Sequence, residues 1–424
     1  MSSLLQEALP AQTLVVAIDP GKIANRVWLT SGERGLIGEP VSLPTLRAGL
    51  DELMRLIGAS ASEGEPVIAV EATGSLHGAW TAELERRFPG CVRLLAPSET
   101  QAARAQLGAR RFKSDDRDCA ALVWLARQGL GRVPDAPALE ALLGVVRHRR
   151  QLVAELKVLR QRLHDQLNRL CPGLSAPQGH GRALDLLRPA GRAVLACAVA
   201  FSGRAPSMRS LLARTPGRIT RGTAEYWVER WRGCLAPPAD AELRAQRLEL
   251  DLERLDVLLA ALSNADRQLT ALLAQTPGQV LTSLPGVADV RAAAFAAHSL
   301  PIERFPTAER LYSATGLAPA SYESATISHR GRISRQGLPD HRDALMAIAW
   351  GLSQSSPSFR ERADEYRNPR LRTNPGAGRA RSPRMPPLPH PASQPRALRR
   401  GALSSSPQAR AVTANIAMPH DGVT

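Results

Sequence analysis

Residues 14–21 of the chain read Leu-Val-Val-Ala-Ile-Asp-Pro-Gly, an apolar run that ends in an acid and a turn. A short apolar run bounded by Pro and Gly predicts a buried β-strand followed by a turn. A second run, Val67–Val70, is followed by Glu71 in the same way. The two runs therefore predict two strands that each end in a carboxylate.

The surrounding sequence predicts the sheet to which these strands belong. Residues 13–130 alternate between apolar runs and helical patterns, and this order predicts a mixed sheet covered by helices, an α/β layer architecture. The predicted strands are 14–18, 26–29, 40–43, 67–70 and 92–95, and the predicted helices are 46–57, 77–88, 98–107 and 116–128.

Two later segments carry leucine at heptad spacing, which predicts long helices in a coiled coil or a long antiparallel hairpin. Plain core packing would give the same pattern. Turn-rich residues 172–240 lie between them and predict an irregular insert at the end of a helical arm through which the chain dimerises. The leucines are Leu152, Leu156, Leu159, Leu163 and Leu170 in the first segment, and Leu248, Leu252, Leu255, Leu259, Leu262, Leu269 and Leu273 in the second.

The composition of the chain limits the classes of partner and the cellular compartment that we expect for it. The chain has 424 residues and a formal net charge of +16, which predicts two or three domains and a nucleic-acid partner. No apolar stretch approaches the roughly 18 residues of a membrane span, and the start of the chain lacks a signal-peptide pattern. The five cysteines lack C-x-x-C spacing, which argues against a zinc knuckle or a disulfide framework. We therefore expect a cytoplasmic, nucleoid-associated protein.

Four acids stand out on this basic chain. Asp19 and Glu71 end predicted strands, and Asp115 and Asp118 lie three apart at the start of a predicted helix, which places both on one face. Converging carboxylates on a protein that attracts polyanions are typical of a site that binds divalent metal at a phosphodiester. Each acid alone has a simpler explanation, such as a turn, a surface position, or the first turn of a helix capped by Ser114.

Three segments resemble the DEDD motifs of the insertion-sequence 110/116/902 transposase family, the bridge-RNA-guided recombinases. The resemblance extends from about residue 13 to residue 355, with the motifs in the family's order. The third motif has Ser114 where the family has Thr and Cys119 where it has Ala. The segments are Val-Ala-Ile-Asp-Pro-Gly-Lys at 16–22, Ala-Val-Glu-Ala-Thr-Gly at 69–74, and Lys-Ser-Asp-Asp-Arg-Asp-Cys-Ala at 113–120.

The resemblance implies a RuvC-like (RNase H-like) domain, a coiled-coil arm and a mostly α-helical C-terminal transposase domain. In such proteins Asp19, Glu71, Asp115 and Asp118 would bind Mg²⁺. The active site would combine the RuvC-like domain of one subunit with the serine domain of another, which implies a homodimer or homotetramer. The expected boundaries are 1–12 for an N-terminal extension, 13–133 for the RuvC-like domain, 134–275 for the arm with its irregular insert, 276–366 for the serine domain, and 367–424 for a tail.

A serine in the last domain completes the expected catalytic set. In the resembling family a Ser shortly after a G-L-x-P element attacks DNA and forms a covalent phosphoserine. Here that element is residues 316–319, and Ser324 fits the position best, with Ser321 as a rival. Ala325 follows Ser324 where the family has Gly. His329 is the nearest candidate base, although a DNA contact is the more natural role for it.

Basic residues near both expected catalytic segments are candidates for nucleic-acid binding. The functional interpretation is that they clamp phosphates, and the simpler one is a solvated basic loop. Residues 284–287, Leu-Pro-Gly-Val, also resemble a helix-hairpin-helix turn that presents backbone N–H groups to phosphate. The candidates are Lys113, Arg330, Arg332, Arg335 and Arg342.

The tail has a different character from the rest of the chain. Beyond Asn368 it contains ten prolines and no helical or strand periodicity, which predicts disorder. The abrupt loss of apolar periodicity suggests out-of-frame translation of this segment. A genuine basic RNA-binding tail is the competing interpretation.

These observations together predict a transposase or recombinase of a bacterial insertion sequence. It would cleave and exchange DNA strands with Mg²⁺ and a serine nucleophile, at insertion-sequence ends and targets chosen by a noncoding bridge RNA. One alternative is a junction-resolving RNase H-fold nuclease that uses the acids alone. The other is an inactive nucleic-acid-binding remnant of the element.

Overall fold

The computed structural model describes residues 8–60, 64–108, 114–175, 183–215, 217–324 and 327–367, with the backbone alone described within 321–331 and 365–367. The chain divides into two compact units, Met1–Ala136 and Pro137–Thr424. The predicted tail beyond Arg367 lies outside the described residues. The finer domain boundaries stay predictions.

The first unit contains a mixed six-stranded sheet. Its strand order is β3-β2-β1-β5-β6, with β4 also paired to β2. β1 is antiparallel to β2 and parallel to β5, which is in turn parallel to β6. The predicted mixed α/β architecture is therefore confirmed, and only the two-residue β3 has no counterpart in the sequence pattern. The strands are β1 Val15–Asp19, β2 Ala24–Ser31, β3 Gly35–Leu36, β4 Val41–Pro44, β5 Val67–Glu71 and β6 Val92–Leu95.

Four helices cover this sheet on both faces. Successive β1 residues alternate between two buried clusters: Val16 and Ile18 pack with one, and Val15 and Ala17 pack with the other. The first cluster includes side chains of α1 and α2, and the second includes side chains of α3 and α4. The four predicted helices are confirmed as α1 Arg47–Ala59, α2 Gly78–Arg87, α3 Pro97–Gln106 and α4 Asp115–Arg127.

The second unit is mostly helical. Two short 3₁₀ helices, Pro277–Ser283 and Ile302–Arg304, and one two-stranded hairpin interrupt the helices. Within the part of the chain described, every helix is too short or too polar to span a membrane. The elements are α5 Pro137–Leu170, α6 Pro189–Ala200, α7 Met208–Ala213, α8 Arg221–Arg232, α9 Ala241–Leu273, α10 Asp289–Ser299, α11 Ala308–Ala314, β7 Pro319–Ser324, β8 Ile327–Ile333, α12 Pro339–Ser355 and α13 Pro357–Arg367.

The two leucine-rich segments form α5 and α9, which pack against each other. Arg149 pairs with Asp266 at 2.5 Å, and Arg162 pairs with Asp251 at 2.6 Å. Because the residue number rises along α5 as it falls along α9, the two helices are antiparallel. Asp251 is buried, and Gln166 also donates to it. The pair therefore has the arrangement of a long antiparallel hairpin, and its identity as a coiled-coil arm stays a prediction.

Within its described residues, the predicted irregular insert between α5 and α9 instead contains three helices, α6, α7 and α8. The prediction rested on Pro172, Gly179, Gly181 and Pro237-Pro238. Pro172 and Pro237-Pro238 lie at the two ends of the segment, outside these helices, and Gly179 and Gly181 lie outside the described residues. Pro189 occupies the first turn of α6, and the Ser207 and Thr220 side chains cap α7 and α8 by accepting backbone N–H groups. Side chains from all three helices, Trp227 among them, join the apolar core between α5 and α9.

A buried histidine lies in the core formed by α10 and α12. The His341 ring nitrogen Nε2 is 2.9 Å from the Ser299 hydroxyl, and the His341 ring lies 5.3 Å from that of Phe295. The pKa of His341 is lowered to about 4, mainly by burial and to a smaller extent by the nearby His298 and Arg304. His341 is therefore neutral in the folded protein at neutral pH.

This histidine predicts a pH-dependent stability. Between pH 6.5 and about 4 the unfolded chain binds a proton at His341 and the folded chain does not, so the free energy of unfolding falls as the pH falls through this window. The loss is on the order of 3 kcal/mol. Urea unfolding of the full chain and of His341→Gln at pH 7 and pH 4.5 measures it. We expect the free energy of unfolding of the variant to change less between pH 7 and pH 4.5. An equal change in the wild type and the variant would contradict the assignment of this pH dependence to His341.

Candidate functional site

The structure places Asp19 and Glu71 at the same edge of the sheet. Ile18 lies opposite Val70 in the parallel β1–β5 pair, so the two acids follow at the next position of each strand. Neighbouring strands lie about 4.8 Å apart. Strand alternation puts both acids on the face that carries Ala17 and Ala69. The predicted pair of strand-end carboxylates is therefore present on one face.

Helix α4 covers that same face. Its apolar side chains, such as Leu122, pack with Ala17 and Ala69. Ser114 caps its first turn by accepting the Arg117 N–H, as the sequence predicted. Cys119 is buried within hydrogen-bonding reach of the Asp19 backbone, and burial raises the pKa of its thiol. The start of α4 therefore lies beside the end of β1.

The two acids of α4 that are predicted to bind metal, Asp115 and Asp118, differ in their surroundings. Asp115 is exposed in the first turn, whereas Asp118 is only 2% exposed. The Asp118 carboxylate lies 2.7 Å from Nε of Arg104 on α3. This ion pair supplies the positive charge that a buried carboxylate requires. Sequence reasoning missed Arg104, because no local pattern distinguishes it from other helix arginines.

Glu71 is also largely buried, and it accepts a hydrogen bond of 2.7 Å from the Thr73 hydroxyl. Thr73 belongs to the second acidic motif, so its place in that motif has a physical reason: it orients the Glu71 carboxylate. The sequence predicted the motif but gave Thr73 no role.

The third acid at the start of α4, Asp116, serves the fold. It accepts hydrogen bonds from Nε of Arg26 at 2.6 Å and from Nε1 of Trp28 at 3.2 Å, both on β2. The hydrogen bond from Arg26 is the main cause that lowers the pKa of Asp116. Asp116 therefore fastens α4 to the sheet.

The carboxylates have the donor chemistry that Mg²⁺ prefers, since all are hard oxygen ligands. The positions of these carboxylates fit Mg²⁺ binding only in part. Across the described ranges, no three His, Cys, Asp or Glu side chains come close enough together to hold a metal ion. The structure brings Asp19 and Glu71 to one edge and leaves Asp118 with Arg104. Lys113, the predicted nucleic-acid contact beside this helix, lies outside the described residues.

The candidate serines lie on the hairpin of the second unit. Ser324 is the last residue of β7 and pairs with Ile327, and Ser321 pairs with Arg330 after an irregularity in the strand. Residues 325–326, which connect the strands, lie outside the described residues, as do the side chains of Ser321, Ser324, His329 and Arg330. The backbone therefore places Ser324 at the tip of the hairpin.

Two glycines hold the base of this hairpin. Gly316 has a φ of 72°, and a Cβ on it would lie 2.6 Å from the backbone nitrogen of Gly337. Its carbonyl accepts the Arg335 N–H at 2.9 Å. Arg342 reaches the same backbone, with Nη1 3.5 Å from the Thr315 carbonyl. The glycine of the G-L-x-P element thus serves a close backbone contact.

The predicted phosphate-clamping arginines fall into two groups. Arg332 on β8 and Arg335 just after this strand are exposed, so a phosphate can reach them. Arg342 is half-buried against the hairpin base, which gives it a structural contact as well. Their role in nucleic-acid binding stays a prediction.

The turn at residues 284–287 packs against α12. Gly286 has a φ of 75°, and a Cβ on it would lie 2.3 Å from the Gly351 carbonyl oxygen. The Gly286 carbonyl accepts a hydrogen bond of 2.5 Å from Nη1 of Arg291. Packing against α12 therefore explains the glycine without a phosphate contact.

Comparison with known protein families gives two matches. Residues 16–172 match a family model described as a transposase of the DEDD, IS110 type. Residues 278–364 match the model of the transposase IS116/IS110/IS902 family. Together they cover more than half of the chain. The matched residues include Asp19 and Glu71 at one edge of the sheet, which we call the acidic edge, and the β7–β8 hairpin that carries Ser324. No curated protein sequence matches the chain.

Proposed function

Because this chain belongs to the transposase IS116/IS110/IS902 family and is a DNA transposase, we propose that the acids at the edge of its sheet carry out DNA strand cleavage. The observation that carries the proposal is the position of Asp19 and Glu71 on adjacent parallel strands, on the face that α4 covers. The strand order, with antiparallel β3-β2-β1 continued by parallel β5 and β6, supports the RuvC-like (RNase H-like) fold.

We propose that Asp19, Glu71, Asp115 and Asp118 hold Mg²⁺, which would stabilise the leaving oxygen of a phosphodiester. The strand ends fix the positions of Asp19 and Glu71, and the Thr73 hydroxyl orients the Glu71 carboxylate. Asp118 joins the set when its ion pair with Arg104 opens. The guanidinium of Arg104 is then available to a DNA phosphate, a partner that suits its geometry.

We propose Ser324 as the nucleophile, with Ser321 as the alternative. The serine Oγ attacks a DNA phosphorus and forms a new P–O bond. The bond from phosphorus to a deoxyribose oxygen breaks. The serine hydroxyl gives up its proton and the leaving oxygen takes up one, so that it departs as a hydroxyl and the step is balanced. The position of Ser324 at the hairpin tip supports this role. The exposed Arg332 and Arg335 lie toward the base of the same hairpin, where they can bind a neighbouring phosphate of the DNA.

A covalent-adduct experiment tests the serine. The wild-type chain is incubated with labelled DNA that carries the insertion-sequence ends and with RNA transcribed from the flanking noncoding DNA, then denatured and separated on a gel. Ser324→Ala is expected to lose the protein–DNA adduct and strand exchange, by about 10³-fold or more, and Ser321→Ala to retain both. Strand exchange at the wild-type rate in Ser324→Ala would exclude it as the nucleophile.

We further propose that a noncoding bridge RNA selects the DNA and that α5 and α9 form the coiled-coil arm of a homodimer or homotetramer. The net charge of +16 and the low aromatic content suit a protein that leaves sequence choice to base pairing. The antiparallel packing of α5 on α9 supports the arm. Light scattering with and without the transcript measures the assembly.

A further inference from the structure

Two large aliphatic side chains are exposed at the edge of the sheet that carries Asp19. The β1–β2 hairpin and the link from β4 to α1 both lie at this edge, because β1 and β4 end there. Ile23 on the hairpin is 85% exposed, and Leu46 on the link is 71% exposed. Side chains of this type normally gain free energy by leaving water, so their exposure beside a catalytic edge suggests a partner.

The backbone under these side chains is held in place. Thr45 donates its N–H to the Ile23 carbonyl at 3.0 Å, and buried Trp80 donates Nε1 to the Thr45 carbonyl at 3.1 Å. On the hairpin, buried Asn25 accepts the Gly21 N–H at 3.1 Å. The two aliphatic side chains thus project from neighbouring segments whose backbones are hydrogen-bonded to each other at Thr45 and Ile23. We call Ile23 and Leu46 the aliphatic knob.

A cation adjoins each half of the aliphatic knob. Lys22 precedes Ile23, Arg47 follows Leu46, and both are exposed. Neither forms a salt bridge with any carboxylate among the residues that the structure describes. Aliphatic surface between exposed cations complements a nucleic acid, which offers apolar base faces between phosphates.

We propose that the aliphatic knob packs against the bases of the DNA strand next to the phosphate that is cleaved, while Lys22 and Arg47 bind the flanking phosphates. This inference rests on the proposed function, since it places the DNA at the acidic edge. Apolar side chains act on DNA by packing against an unstacked base or by separating a base step. The aliphatic knob would therefore hold the strand open beside Asp19.

Substitution at exposed positions tests this without disturbing the fold. The probe is a fluorescein-labelled forked DNA duplex, bound by the full chain at several salt concentrations. Ile23→Ser and Leu46→Ser are each expected to raise the Kd roughly 10-fold with no change in the salt slope. The double variant Lys22→Gln/Arg47→Gln is expected to reduce the slope by about 2, because two phosphate contacts are lost.

Leu235→Ser is the matched control, since Leu235 is 75% exposed in the second unit. This control is expected to bind DNA with the Kd of the wild type. In thermal unfolding, each of these variants should have the same Tm as the wild type. Equal Kd values for Leu46→Ser and Leu235→Ser would overturn the inference and leave the proposed function standing. A changed oligomeric state with unchanged DNA binding would also overturn it, in favour of a contact with a second copy. Absence of DNA binding by the wild type would contradict the proposed function itself.

Discussion

Replacement of Asp19 by Asn is expected to reduce Mg²⁺-dependent DNA cleavage by about 10³-fold or more, with little change in stability. Asp19 ends β1 on the face covered by α4, in register with Glu71 on the neighbouring strand. The amide has the size of the carboxylate but lacks its charge, so it cannot neutralise a divalent cation. Glu71→Gln should have the same effect for the same reason. Single-turnover cleavage of labelled DNA measures both.

The matched control is Asp51→Asn, an exposed carboxylate on α1 that leaves the acidic edge unchanged. It is expected to cleave DNA at the wild-type rate. Chelation of divalent metal should abolish cleavage by the wild type and by the control alike. Cleavage by Asp19→Asn within threefold of the wild type would remove the acidic edge from the mechanism.

The second large effect concerns stability of the second unit. Gly351→Ala is expected to destabilise it by about 3 kcal/mol, because extra atoms in a tight contact force the backbone apart. Gly351 lies inside α12, and a Cβ there would be 2.4 Å from the Gly286 carbonyl oxygen. Neither atom belongs to a flexible side-chain end, so one backbone segment must move. Urea unfolding of the full chain measures the change.

Gly144→Ala provides a control of the same chemistry. Gly144 lies inside α5, and nothing is within 4 Å of the position where its Cβ would be. Alanine favours the helix over glycine, so this variant is expected to be more stable by about 0.5–1 kcal/mol. Destabilisation of both variants by the same amount would show that loss of glycine, and not the contact of α12 with Gly286, causes the effect.

The sequence predicted the sheet well because its strands have strong local signals. The apolar runs that end at Asp19 and Glu71 are bounded by turns, and strand parity then places both acids on one face. The prediction of an irregular insert between α5 and α9 was wrong, because its turn residues Pro172 and Pro237-Pro238 lie at the two ends of the segment, whereas Pro189 and Thr220 start helices within it. Local pattern alone does not separate these two uses.

The sequence predicted which residues belong to the candidate site, but it did not predict the ion pairs and hydrogen bonds that they form. The acid motifs are contiguous in sequence, whereas the Arg104–Asp118 ion pair joins two helices and depends on how they pack. Asp116 shows the same limit, since its hydrogen bonds to Arg26 and Trp28 arise from contact between α4 and β2. Long-range pairs of this kind require the fold before they can be named.

In the proposed mechanism, the acidic edge of the first unit drives recombination of DNA. This role is tested most directly by recombination in cells that carry the insertion-sequence ends, a target and the flanking noncoding DNA. We predict that the wild type joins the ends to the target, and that Asp19→Asn, present at the same level, gives only the background of cells without the protein. Recombination by Asp19→Asn at the wild-type frequency would contradict the account.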